Sequence, residues 1–243
     1  MKIIKLDKCE STTAYLKQLM EANTDEKNLL ILSNFQTKGK GQGEAFWESE
    51  NAKNLLLSFN INIDGLLAEN QFYISIVIAL SIKDILYEIL PKKNVKIKWP
   101  NDVYIDDRKI AGILIENSVI GSYISESIIG IGMNVNQQIF ESDAPNPISI
   151  IHYNNKSNNI DEILTMLVSA LERNFELLRL LDFNTLKNRY LKALYRIGEE
   201  HAFLIDGKEY KGVIKGVDEY GFLQIEINSK LLSFDIKQIK YLY

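Results

Sequence analysis

Short apolar blocks separated by polar turns alternate along this chain with longer, helix-spaced stretches. Residues 3–6 and 29–32 read as short strands, and 55–63 as a longer one closed by Asp64-Gly65. Between the first two, Ser11-Thr12-Thr13 offers N-cap chemistry to a helix with apolar positions at Ala14, Leu16, Leu19 and Met20. Residues 69–89 have helical length and are stopped by Pro91. Residues 95–99 then alternate, with Val95, Ile97 and Trp99 on one face and Lys96 and Lys98 on the other. A Pro100-Asn101-Asp102 turn and an Asp106-Asp107 turn lead to residues 109–118, apolar on both faces except at the ends, which predicts a central, covered strand. Gly121 breaks the chain before a strand at 124–135, and 161–181 and 184–194 read as a pair of helices. The Asn-rich tract 154–159 reads as a solvated loop before them.

After Gly198 the texture changes to short strands at 202–205, 210–217, 223–227 and 231–234, joined by Asp206-Gly207, Tyr220-Gly221 and Asn228-Ser229 turns. This predicts a small barrel, residues 198–243, appended to an α/β body, residues 1–197.

Composition narrows the classes. The 243 residues are 46% apolar and 25% charged, enough for a sizeable core, and the formal charge of −4 gives no general attraction to nucleic acid. Cys9 is the only cysteine, so an internal disulfide is impossible. His152 and His201 are far apart, with no metal-ligand spacing. The first eight residues are charged throughout, and the most apolar window, 72–82, is too short for a bilayer. A cytoplasmic protein without membrane contact is expected.

Four segments carry candidate chemistry. In Gln36-Thr37-Lys38-Gly39-Lys40-Gly41-Gln42-Gly43, alternate glycines free the backbone for positive φ while two lysines supply charge for phosphate oxygens. Composition supports a solvated loop equally, and the spacing matches neither a Walker A loop nor Gly-x-Gly-x-x-Gly. Lys109 shares a face, by alternation, with Ala111, Ile113 and Ile115, so its charge needs an answer, from an anionic ligand or a core carboxylate. Gly130-Ile131-Gly132-Met133-Asn134-Val135-Asn136 lets a flat ligand lie against the strand and adds amide groups. The Ser11 and Thr12 hydroxyls serve a helix cap or a polar ligand at the same helix end.

In this order and at these distances, the segments resemble the biotin protein ligases, which attach biotin to carboxylase carrier domains. Lys98-Trp99-Pro100-Asn101-Asp102 and Lys109-Ile110-Ala111-Gly112-Ile113-Leu114-Ile115-Glu116 match the family's most specific signature, and the glycine loop with Trp47 and Ser49 matches its adenylate loop. The resemblance runs from about Glu10 to the C-terminus. It implies an α/β (α+β) fold, a mixed β-sheet flanked by helices as in class II synthetase-like biotin/lipoate ligases, with a small SH3-like C-terminal barrel. Biotin and ATP are then substrates. Biotin's carboxylate attacks the α-phosphate, giving biotinyl-5′-AMP and pyrophosphate, and a lysine of a biotin carboxyl carrier protein or domain attacks the mixed anhydride. No enzyme nucleophile is needed, and Mg²⁺ rides on the phosphates.

The resemblance also assigns roles. Lys109 touches the biotin carboxylate and α-phosphate. Ser11, Thr12 and Gln36 bond the ureido end, Gly39 and Lys40 line the same pocket, and Gly112 and Gly132 make room for the ring and its chain. Asn134 faces adenine, Trp47 covers the nucleotide, and Asp102 positions the intermediate or the incoming lysine. The family usually carries arginine where Gln42 stands, which leaves Lys40, with Lys38, to hold the adenylate. Thr13 replaces a common asparagine. Some family members begin with a DNA-binding domain, and here the pocket motif starts near residue 11, so no operator binding is expected. The nearest rival is a lipoate ligase or lipoyl transferase, and another is a non-catalytic biotin-binding module. Assembly stays open between a monomer and a dimer through a sheet edge.

Overall fold

A computed structural model describes residues 1–22, 28–43, 45–142 and 146–242. The first part of the chain builds a seven-stranded mixed sheet from β1 (Lys2–Leu6), β2 (Leu29–Ser33), β3 (Leu55–Ile61), β4 (Val95–Lys98), β5 (Asp102–Ile105), β6 (Arg108–Ile120) and β7 (Tyr123–Met133). Its spatial order is β1-β2-β3-β7-β6-β5-β4, with β1 parallel to β2 and the remaining neighbours antiparallel.

Helix α1 (Thr12–Ala22) lies on one face and packs Leu16 against Leu29 and Ile31. The other face carries α2 (Phe72–Ile89), α4 (Ile160–Arg179) and α5 (Phe183–Ala193), after a short α3 (Ile151–Asn154). Helix α2 is apolar almost all round because it is sandwiched between sheet and helices, with Ile76 through Ile82 buried. Across that core Phe59 of β3 meets Phe175 of α4 edge-to-face at 6.5 Å. Helix α4 is started by Asn159, whose side chain accepts from the Asp161 and Glu162 N–H groups.

The remaining strands, β8 (Glu200–Ile205), β9 (Lys208–Val217), β10 (Leu223–Ile227), β11 (Lys230–Phe234) and β12 (Ile239–Tyr241), form a second, antiparallel sheet ordered β11-β10-β9-β8-β12. The expected barrel is not closed: β11 and β12 are short edge strands that share no ladder. Strand β12 and α3 were not foreseen, since three or four residues carry too little periodicity to be read. The helix expected from residue 69 begins as a 3₁₀ turn, Ala68–Asn70, before α2 starts at Phe72. The second sheet is fastened to the first part at the turn before β5, where Trp99 Nε1 donates to the Gly221 carbonyl at 2.8 Å.

Candidate functional site

Strand register gives the α1 face of the sheet an unusually bare strip. Asp102 on β5 lies across from Gly112 on β6, which lies across from Gly132 on β7. The next row holds Leu114, Gly130 and Ser58 of β3. Side chains therefore vanish at three positions on the two adjacent strands β6 and β7, and a pocket opens above them. It is closed at one end by Ser11, Thr12 and Gln36, at the other by Lys109 and Asp102, and roofed by the glycine-rich segment.

Lys109 does not share the face expected for it. The β5–β6 ladder shifts register between the pairs Val103–Ala111 and Tyr104–Lys109, so Ile110 is a bulge residue. The extra residue turns Lys109 onto the glycine side: a Cβ at Gly112 would lie 3.4 Å from its Nζ. There the ammonium meets Asp102 Oδ1 at 2.7 Å, with the two side chains only 21% and 16% exposed. The counter-charge is thus a carboxylate of the chain itself, already in place. Lys109 also stands over the Trp47 ring, 5.5 Å from its centroid.

The glycine-rich segment is a hairpin, not an open loop. Trp47 N–H donates to Gly39 O at 3.0 Å, Gly41 N–H donates to Ala45 O at 2.7 Å, and Lys40 bridges Phe46. Among its described residues only Gly43 has positive φ, +65°. Gly39 and Gly41 are needed instead for close approach, since a Cβ on Gly39 would sit 2.5 Å from Trp47 O. Closing this hairpin lays the Trp47 indole flat on the bare strip. A Cβ at Gly132 would lie 2.7 Å from its Nε1, and one at Gly112 would lie 2.8 Å from Cζ3. The buried Nε1 has no hydrogen-bond partner among the described residues. Lys40 and Gln42 line the pocket from the hairpin, whereas Lys38 points to Glu10 at 3.0 Å and leaves Lys40 alone.

At the polar end, Gln36 Oε1 accepts from Thr12 N at 2.7 Å and from Thr12 Oγ1 at 3.0 Å. Ser58 Oγ lies 2.8 Å from Thr12 Oγ1 and 2.9 Å from Thr13 Oγ1. Ser58 was not foreseen, although a lone hydroxyl inside Leu55-Leu56-Leu57-Ser58-Phe59 was the available signal. Asn101 and Thr13 also line the pocket and were given no role there.

Of the expected site residues, Ser11, Thr12, Gln36, Lys40, Gln42, Trp47, Asp102, Lys109, Gly112 and Gly132 are gathered here, while Gly39 and Asn134 lie outside the lining. Asn134 is buried just past β7, its N–H on Ile110 O and its Oδ1 without a partner among the described residues. Asn136 is turned away: it accepts from Asn158 N and donates to Asn158 O, which ties down the Asn-rich tract read as solvated. Beside them Gln137, fully buried, joins Asn54 and the Glu50 N–H to Glu48. Burial pushes the Glu48 carboxyl up, but hydrogen bonds from Ser142, Glu141 and Gln137 outweigh it and hold it below its ordinary range.

Residues 6–134 match the Biotin/lipoate A/B protein ligase family, and the chain belongs to that family. Within it, the chain is similar to two proteins named for biotin ligation or BirA. A biotin–[acetyl-CoA-carboxylase] ligase of Paracoccus denitrificans is 32% identical over 164 residues, covering 65% of this chain and 68% of that protein. The bifunctional ligase/repressor BirA of Escherichia coli is 28% identical over 197 residues, 80% of this chain, and the match spans 60% of BirA's own length. The fold is that of a biotin protein ligase from Aquifex aeolicus solved with biotin and ATP, with a TM-score of 0.82 at 24% identity over 99% of each chain.

Proposed function

We propose that this chain is an ATP-dependent biotin protein ligase that makes biotinyl-5′-AMP and passes biotin to a lysine of a biotin carboxyl carrier domain. The observation that carries the reading is a single pocket with two unlike ends on a glycine floor. One end is a neutral cluster of hydroxyls and an amide, suited to a cyclic urea, and the other is a lysine on a carboxylate. A biotin laid along the floor has its ureido ring at Thr12 and Gln36 and its carboxylate at Lys109. The α-phosphate of ATP then meets that carboxylate beside the same ammonium.

Chemistry in such a site is alignment of two anions and neutralisation of the charge they share as the new P–O bond forms. Lys109 exchanges part of its contact with Asp102 for the reacting oxygens, and Lys40 adds charge from the hairpin. Trp47 has to leave the glycines for the ring to settle there, after which its indole can lie over the ligand. In the second step the acceptor's amine attacks the biotinyl carbonyl and AMP leaves. Among the described residues no group of three His, Cys, Asp or Glu side chains is placed to hold a metal. Asp102, the one acidic group among the described residues lining the pocket, fits a Mg²⁺ held mainly by phosphate oxygens and water, which would screen the phosphate charge.

The formal charge of −4 argues against operator binding as an added role, which a gel-shift checks. No described helix is long and apolar enough to cross a membrane. The deciding assay is biotin-dependent exchange of labelled pyrophosphate into ATP, followed by label transfer to a carrier domain. Lipoate in place of biotin should support neither step, because its dithiolane leaves the polar end unpaired. Exchange driven by lipoate, or none with biotin, would reject the proposal.

A further inference from the structure

The hydroxyls at the polar end can have their protons assigned from heavy-atom positions alone. Thr12 N–H donates to the Gln36 side chain at 2.7 Å, so the acceptor is the amide oxygen and Nε2 is left to donate elsewhere. The Thr12 hydroxyl, 3.0 Å from the same oxygen, must also donate to it. Its only proton is then committed, and at 2.8 Å from Ser58 it can only accept. Ser58 therefore donates to Thr12, and Thr13, 2.9 Å away, has to donate to Ser58. The protons run one way, from Thr13 to Ser58 to Thr12 to Gln36.

Ser58 is fully buried and stands behind the wall, whereas Thr12, Thr13 and Gln36 line the pocket. We infer that Ser58 is a specificity-determining positioning residue: by accepting the Thr13 proton, as Gln36 accepts that of Thr12, it leaves both threonine hydroxyls only acceptor capacity toward the pocket, beside the donating Gln36 amide. That polarity reads a ligand carrying N–H groups next to a carbonyl, and rejects one with an oxygen in place of the N–H. Gly130 keeps room for the arrangement, since a Cβ there would lie 2.9 Å from Thr13 Oγ1. The inference rests on the biotin reading above and concerns how that site recognises its ligand.

The test compares biotin with its two cyclic-carbamate isosteres, each having one ureido N–H replaced by oxygen, in wild type, Ser58→Ala and Ser58→Thr. With one hydrogen bond at stake, Ser58→Ala should raise the biotin KM about tenfold with kcat kept. It should also narrow the preference for biotin over at least one carbamate about tenfold, because the freed Thr13 proton can now face the ligand oxygen. Ser58→Thr, which keeps a hydroxyl, should retain the wild-type preference. Thr13→Val removes the same acceptor without touching the sheet and should also narrow it, which covers an unfolded Ser58→Ala. Equal weakening of all three ligands, with the preference unchanged, would overturn the inference and leave Ser58 a packing residue. Failure of the underlying reading looks different: wild type would then bind no biotin by calorimetry.

Discussion

Removing the Lys109 ammonium separates the two jobs the geometry assigns to it. With 2.7 Å between Nζ and Asp102 Oδ1, the Coulomb attraction at an effective dielectric near 20 is roughly 6 kcal/mol. Desolvation of two mostly covered side chains offsets most of that, so a charge-assisted bond is left contributing about 1.5–3 kcal/mol. Lys109→Ala should therefore lower Tm by roughly 3–12 °C for a chain of this size. Asp102→Asn should cost less, since the amide oxygen still accepts. In a double-mutant cycle the second change should add little to the first, because the shared bond is already gone. Activity divides differently. If the ammonium meets the reacting oxygens, Lys109→Ala should slow biotin-dependent pyrophosphate exchange about 10²–10³-fold, whereas Asp102→Asn keeps the cation and should retain far more exchange. Thermal unfolding and exchange on the four proteins measure both. A folded Lys109→Ala variant with wild-type exchange would refute the catalytic role, and fully additive stability losses would refute the ion pair.

Lys40, the hairpin lysine that lines the pocket while Lys38 is held by Glu10, should lose most adenylation as Lys40→Ala, and near-normal exchange in that variant would contradict it. Gln42→Arg should slow escape of the adenylate, read as longer retention of labelled biotin on gel filtration. The chain has two tryptophans, and Trp99 is pinned by Gly221, so a fluorescence change on adding biotin should come from Trp47 leaving the glycines; the same change in a biotin-binding Trp47→Phe variant would be evidence against that movement. The lowered Glu48 carboxyl contributes stability that is present above its unfolded titration range and lost as pH falls through the folded value. Acid unfolding of Glu48→Gln should accordingly be less steep, and an unchanged profile would remove Glu48 from the account.

The parts of this site that could be read beforehand are those where residue type alone restricts the chemistry. A lysine at the entry of a covered strand needs an anion, and glycines alternating in β7 leave a bare surface whatever the register. What escaped notice depends on geometry that alternation cannot report. One bulge at Ile110 reverses the face of Lys109, turning a cation expected among Ala111 and Ile113 into the partner of Asp102. Ser58 was hidden because a serine within a buried strand shows its meaning only when Thr12 and Thr13 are seen above it. Asn134 and Asn136 share the polarity of ligand-binding amides, yet one is buried outside the pocket and the other fastens a loop. The open C-terminal sheet follows the same rule, since turn signals predict hairpins and say nothing about whether the two edges meet. A bare strip also does not specify its occupant: Gly112 and Gly132 admit a flat group, and the chain's own indole lies against them here. For a ligand to win that place it must supply what Trp47 cannot, groups that pair at both ends, a ureido at Gln36 and a carboxylate at Lys109. Affinity should therefore fall off sharply when either end of biotin is removed, even though the ring between them is unchanged.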